Sequence, residues 1–469
     1  NKLQLIKNYY FINLNTIEKL FLQSNQISVI ESNSFNSLSS ITTLDLNSNM
    51  IFNFSSAVFL ECKMLTILNL RLNDQVSKYN LKSSDMVNVN EFYMFRIFIL
   101  EDYLFSGFKS LRKLFMGHCF IEKIYQFSFF QLNGLSELYL NDNKIQHLNS
   151  SISDLRSLRI LDLTNNKIEN VYFNDLKNLK TLAFLRLSNN KIKLFEPSNI
   201  SLFFPNLNRL YINNMPYEFI KSLNLTGLVR LDDFELNDNE FAFVDKIKYF
   251  PNMKKLSIRN GFINLTQNIS FWSLVQNLNI IKEIYFFNCD KISYDLKNFT
   301  RNHFIHLEIL VLSKMNLHNV EDIKTDFETF DKIYSIDLSI NYLTIIKRTH
   351  FSYLLNLKFL NLSFNFIYYF EPNSFNFKSQ SPLDEIDLSF NNISDLENNV
   401  FHVIKFYINF NQLIYFENSS VITGYEFETS LASNNLKEFP PFFYKNKIIM
   451  KSIDLSQNNI EILNNIDNN

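Results

Sequence analysis

Apolar and polar positions along the chain fall into one short pattern that recurs from end to end. Ile17, Leu20, Leu22, Asn25 and Ile27 stand at relative positions 1, 4, 6, 9 and 11. Leu135, Leu138, Leu140, Asn143 and Ile145 repeat that spacing, as do Leu158, Leu161, Leu163, Asn166 and Ile168. So do Leu182, Leu185, Leu187, Asn190 and Ile192, and later Leu357, Leu360, Leu362, Asn365 and Ile367. With conservative replacements there are about nineteen copies, starting near residues 17, 41, 65, 89, 111, 135, 158, 182, 207, 231, 253, 281, 307, 333, 357, 383, 403, 426 and 450, a mean period of roughly 24. One copy would be weak evidence; a register held along the whole chain is strong.

The pattern predicts local structure. Alternation over positions 4, 5 and 6 is the period of a short strand, with 4 and 6 inward and 5 outward. Stacked copies lay these strands side by side as a parallel sheet. Position 9 lies where the chain leaves the strand, and an Asn there has an amide that bonds backbone groups of its own and neighbouring turns. The expected ladder is Asn25, Asn49, Asn73, Cys119, Asn143, Asn166, Asn190, Asn239, Cys289, Asn341, Asn365, Asn391, Asn411, Asn434 and Asn458. Asn189, one residue before Asn190, is expected to be exposed and replaceable at little cost. The second half of each copy adds an apolar spine, as in Ile30, Phe35 and Leu38, with Phe105, Phe351, Phe375 and Phe401 at the Phe position. Such short connections predict loops and single 3-10 turns. Ile97, Met215 and Gly261 break the ladder, and the segment from Val76 to Met86 fits poorly; a solenoid absorbs such changes because each turn touches only its neighbours.

The full period, LxxLxLxxNxIxxIxxxxFxxLxx, resembles the typical class of leucine-rich repeats found in animal extracellular proteins, chaoptin-like adhesion proteins and Toll-type receptors among them. The resemblance implies an α/β-type leucine-rich-repeat solenoid, a horseshoe or right-handed superhelix. Its concave parallel β-sheet would hold about nineteen short strands, with convex loops and 3-10 turns. Cys is a tolerated ladder substitute in that class, which makes Cys119 and Cys289 expected core thiols. The implied function is protein recognition in adhesion or signalling, in the extracellular part of a receptor attached to the plasma membrane. The contrasting reading is an intracellular scaffold or regulatory subunit, which sparse cysteine also fits.

Residues 1–469 read as a single continuous repeat domain, with partial repeats at 1–16 and 450–469. Leu3, Ile6, Phe11 and Leu14 match the second half of a repeat, and the copy opened by Met450 stops before its Phe. Because solenoids need caps over their end turns, the chain is expected to be a fragment, with membrane attachment through a C-terminal part beyond it.

Composition narrows the classes further. A formal net charge of −2 gives no reason to expect nucleic acid as partner. The longest apolar run, Phe92 to Leu100, is broken by Arg96 and falls short of the roughly 18 residues of a membrane span. Cys62, Cys119 and Cys289 are too scattered for a disulfide framework. No catalytic constellation stands out, so neither an enzyme nor a cofactor is expected. His303 and His306 lack a third ligand, which argues against a metal, and His118 and Cys119 are adjacent on a bend and expected to point apart. N-glycosylation sequons occur at Asn53, Asn149, Asn199, Asn224, Asn264, Asn268, Asn298, Asn361, Asn392 and Asn418, close to the chance number of about nine in so Asn-rich a chain.

Positions 2, 3, 5, 7 and 8 have no core duty and form the expected recognition surface. Position 5 gives Tyr93, Phe115 and Tyr139 on three consecutive turns, then Asp162, Arg186, Tyr211 and Glu235. With strands ~4.8 Å apart, the three aromatics should form one patch. Arg209, Asp233, Lys255 and Glu283 follow at position 3, with Asp232 and Lys254 at position 2. These charges either pair across strands and merely solvate the sheet or orient a partner. The expected contact set is Tyr93, Phe115, Tyr139, Arg186, Arg209, Tyr211, Asp233, Glu235 and Lys255. The expected occupant is a protein ligand or cell-surface partner, a second copy of the chain included.

Overall fold

A computed structural model describes residues 2–73, 76, 78–81, 86–196, 198–241, 250–260, 262–263, 278, 280–289, 304–320, 330–351, 354–375, 383–396, 401–415, 421–441 and 449–461. They form two compact units, Asn1–Leu231 and Asp232–Asn469. In the first, nine three-residue strands run in parallel: Lys19–Phe21, Thr43–Asp45, Ile67–Asn69, Glu91–Tyr93, Lys113–Phe115, Glu137–Tyr139, Ile160–Asp162, Phe184–Arg186 and Arg209–Tyr211. Each pairs with the next in strict register, Phe92 opposite Leu114 and Leu114 opposite Leu138. In the second unit ten parallel strands follow the same scheme, from Asp233–Glu235 to Met450–Asp454. The strands there lengthen to seven residues at Phe401–Tyr407 and ten at Val421–Ser430.

Strands occupy positions 3 to 5, one residue earlier than the alternation over 4 to 6 suggests. The central residue points in, as with Leu114 and Leu138, while its neighbours are half-buried. Position 6 is still buried, as with Met116 and Leu140, and its N–H bonds the position-5 carbonyl of the next turn, Met116 to Tyr139 O at 2.8 Å. The opposite side carries the aromatic spine. Phe11 stacks on Phe35 at 5.7 Å, Phe35 on Phe59 at 5.6 Å and Phe105 on Phe129 at 5.9 Å. Besides loops and 3-10 turns, such as Ser56–Phe59 and Ile200–Leu202, this side has paired two-residue strands, for example Ile99–Leu100 with Lys123–Ile124. Two short helices, Phe173–Leu176 and Tyr217–Ser222, also lie there.

The ladder works through three bonds per Asn. Asn190 accepts the Ile168 N–H at 3.1 Å and donates to the carbonyls of Leu163 at 2.9 Å and Leu187 at 2.8 Å. Asn49, Asn73, Asn143, Asn166, Asn365, Asn391, Asn411, Asn434 and Asn458 each donate to two such carbonyls. Asn341 does the same, Asn25 bonds its own turn and the Leu3 N–H, and Asn239 is buried in the same column. At Cys119 and Cys289 the thiol takes over the donation, to Met94 O and Ile258 O, both at 3.5 Å. Ile97 and Met215 are buried and close their gaps by packing, while Gly261 lies outside the described residues.

Position 8, by contrast, is not a free surface position. Asn189 has φ 57°, and the same left-handed conformation recurs at Ser24, Ser48, Leu72, His118, Asp142, Asn165 and Asn214. It turns the residue's N–H toward the next turn, as in Asn189 N–H to Asn213 O at 2.9 Å. A Cβ in this region costs about 1–2 kcal/mol, less for Asn. Asn189 is therefore exposed, as expected, but not indifferent to replacement.

Candidate protein-binding face

Equal strand length and strict register place every third-, fifth- and seventh-position side chain of the first unit in columns across its sheet. The position-5 column holds the expected aromatic row. Tyr93 and Phe115 stack with centroids 4.1 Å apart and planes 3° from parallel; Phe115 and Tyr139 follow at 4.7 Å and 6°. Each ring is half-buried because its neighbours cover its faces. Alongside, at position 3, Lys113 sits between Glu91 at 3.2 Å and Glu137 at 3.7 Å. Its hydrogen bond to Glu91 and the charge of Glu137 hold the ammonium pKa above the ordinary lysine value. Tyr139 donates its hydroxyl to Glu137 at 2.9 Å. Burial, then that bond, pushes its pKa up to about 12, so it remains a donor throughout the neutral range. Burial, followed by Glu91, raises Tyr93 as well.

A second cluster joins this column. Asp162 is buried and receives the Arg186 guanidinium at 2.9 Å. That guanidinium lies over Phe184 at 4.3 Å and near Tyr211 at 5.6 Å, while Arg209 reaches Phe184 from 5.6 Å. Phe184 and Tyr211 meet edge to face at 4.9 Å. Tyr93, Phe115 and Tyr139 thus form one group, and Arg186, Arg209 and Tyr211 another, centred on Phe184. The expected set omitted Phe184, Lys113, Glu91 and Glu137, although reading position 3 as a column would have found all four.

Asp233, Glu235 and Lys255 belong to the second unit. Asp233 stands opposite Lys255 and Glu235 opposite Ser257 along the sheet, and Lys255 lies 5.1 Å from the Tyr285 ring centroid. Asp232 and Lys254 pair at 3.5 Å, which is the cross-strand pairing that charge alternation allows. This unit also carries an aromatic row that was not expected. Phe364, Phe390 and Phe410, all at position 8 in the left-handed conformation, stack at 4.1 and 4.3 Å and are exposed.

The remaining chemistry is quiet. Cys62, Cys119 and Cys289 are free and buried, and burial pushes the Cys62 thiol up to about 12. His118 reaches Asp142 at 3.3 Å while Cys119 bonds inward, so the two do point apart. His306 contacts Lys332 at 2.9 Å, and His303 lies outside the described residues. Of the sequons, Asn53 and Asn392 are exposed. Asn149 is exposed but donates to Ile124 O at 2.8 Å, and Asn199, Asn224 and Asn361 are half-buried, their amide oxygens accepting from Ser201, Thr226 and Ser363. Asn264, Asn268, Asn298 and Asn418 lie outside the described residues.

A family model described as leucine rich repeat matches residues 1–51, 15–75 and 109–168. The chain is a leucine-rich-repeat protein. Over 328 residues, 61% of the chain, it is 26% identical to the Transforming growth factor beta activator LRRC33 of Danio rerio. Over 95 residues, 20% of the chain, it is 34% identical to the Protein phosphatase 1 regulatory subunit SDS22 of Saccharomyces cerevisiae. These matches span 46% and 28% of the two relatives, less than half of either. Among solved structures, a leucine-rich-repeat protein of Leptospira interrogans aligns with TM-score 0.54 at 20% identity, covering 86% of this chain and 94% of that one. A chain of the Drosophila Toll–Spatzle complex aligns with TM-score 0.52 at 15% identity, covering 92% and 56%. The fold is the leucine-rich-repeat fold.

Proposed function

We propose that this leucine-rich-repeat chain is the extracellular part of a cell-surface receptor or adhesion protein. A protein partner docks on the sheet of its first unit, over Tyr93, Phe115, Tyr139, Arg186, Arg209 and Tyr211. The observation that carries the docking face is the stacked column Tyr93–Phe115–Tyr139 beside Lys113, Glu91 and Glu137. Aromatic area anchors, and fixed charge beside it orients. The rings are already ordered by stacking, which lowers the entropy lost on binding. Asp233, Glu235 and Lys255 are proposed contacts on the second unit's own sheet. The name of the Danio rerio relative, a growth-factor activator, favours an extracellular setting; the Phe-containing repeat points the same way.

The phosphatase regulatory subunit and the free cysteines support the alternative, an intracellular regulatory scaffold. Glycosylation separates the two. Expressed in animal cells behind a signal peptide and between capping repeats, the chain is expected to lose several kilodaltons of apparent mass on amidase treatment. The pair Asn53→Gln and Asn392→Gln should remove part of that loss, because those two amides are exposed. An unchanged mobility after amidase treatment favours the intracellular scaffold.

A further inference from the structure

We propose that the edge of the first unit, where the chain enters its sheet strands, binds a linear sulfated polysaccharide. This site stands apart from the docking face and does not depend on it. Lys63, Lys109 and Arg112 line an open cleft of about 520 Å³ together with Thr66, Asn88, Asn90 and Ser110. Among the described residues no carboxylate lines it. Glu91, the nearest acid in sequence, faces the sheet side, where it and Glu137 hold Lys113. Lys63 has a 3.7 Å contact with Glu61, and both side chains are more than half exposed, so the pair holds the lysine weakly. Lys109 and Arg112 are in no ion pair among the described residues.

The repeat continues this edge. The two residues before position 1, and position 2 itself, add Arg156, Arg159 and Lys180 on later turns. Across the six turns starting at 65, 89, 111, 135, 158 and 182 these places hold no acid. Five intervals of ~4.8 Å make a track ~24 Å long. Gly134 sets one point of it: a Cβ there would stand 1.6 Å from Arg112 Nη1, so the guanidinium rests where any other residue's side chain would be.

The geometry selects the ligand class. Guanidinium and ammonium groups at repeat intervals suit a chain bearing sulfates at regular intervals, held by charge-assisted bonds. Asn, Ser and Thr between them suit the hydroxyls of a sugar. Among the described residues the cleft has no aromatic wall, so a single-stranded nucleic acid would meet the charge without a stacking platform for its bases.

The test is titration calorimetry with a short heparin fragment at physiological salt, against three proteins. The unaltered chain should bind. Lys109→Glu with Arg112→Glu should weaken binding at least about tenfold, whereas Lys167→Glu with Lys191→Glu, equal in charge change on the opposite edge, should change it less than about twofold. Gly134→Ala, which adds no charge, should weaken it several-fold by displacing Arg112. Unfolding midpoints confirm that each variant is folded, and Lys109→Gln with Arg112→Gln replaces the reversal pair if that one is not. No binding by the unaltered chain, equal weakening by both pairs, or equal binding of a charge-matched single-stranded oligonucleotide overturns the proposal.

Discussion

Replacing Asn190 by Ala is expected to lower the unfolding free energy by about 3 kcal/mol, far more than its small size suggests. The side chain is 5% exposed and satisfies three backbone groups, the Ile168 N–H and the Leu163 and Leu187 carbonyls. A buried polar group left without a partner costs about 1–3 kcal/mol. Two such groups, the Ile168 N–H and the Leu187 carbonyl, are orphaned here, since the Leu163 carbonyl keeps the Asn166 amide at 3.1 Å, and some relaxation of the turn offsets the sum. The comparison lies next door. Asn189→Ala should cost only about 1 kcal/mol, from the Cβ in a left-handed backbone, and Asn189→Gly should cost almost nothing. Denaturant midpoints of the three variants decide: an Asn190→Ala loss no larger than that of Asn189→Ala would remove the ladder from the account.

The second large effect is on binding. Phe115→Ala combined with Tyr139→Ala should weaken the protein partner's affinity by at least about 2 kcal/mol, roughly 30-fold. Stability should also fall, but modestly. The pair removes both stacks of the column, each worth about 0.5–1.5 kcal/mol, from rings that are only half-buried. A spine residue reverses the balance. Phe35 is fully buried between Phe11 and Phe59, so Phe35→Ala should cost about 3–5 kcal/mol of stability and leave the affinity of the folded fraction unchanged. Equal affinities for the double variant and the unaltered chain would reduce the column to packing.

Much of this architecture is legible in the sequence alone. Leu, Ile and Phe at fixed places mark the core because every turn must bury the same positions. Asn at position 9 marks the ladder because its amide both donates and accepts. The aromatic column was legible for the same reason, since parallel pairing in strict register turns a period along the chain into adjacency in space. What escaped notice has equally physical causes. Apolar alternation reports which residues are buried, not where ladder bonds begin, so the strands were placed one residue late. The left-handed position 8 was hidden by Leu72, Ile340, Phe364 and Phe390, residues that poorly suit that conformation. Phe184 was missed because a buried aromatic at an outward position breaks the alternation. The two-residue strands opposite the sheet form from positions such as Ile99–Leu100, too short to show a period of their own.

Hydroxyl-radical footprinting of the chain with and without its protein partner tests the central claim most directly. Tyr103, Tyr172 and Phe173 are exposed on the side away from the sheet and serve as the internal reference. The account predicts that partner binding protects Tyr93, Phe115, Tyr139 and Tyr211 from oxidation while those three stay unchanged. Protection of Tyr103, Tyr172 and Phe173, with the sheet-face rings still reactive, would contradict it.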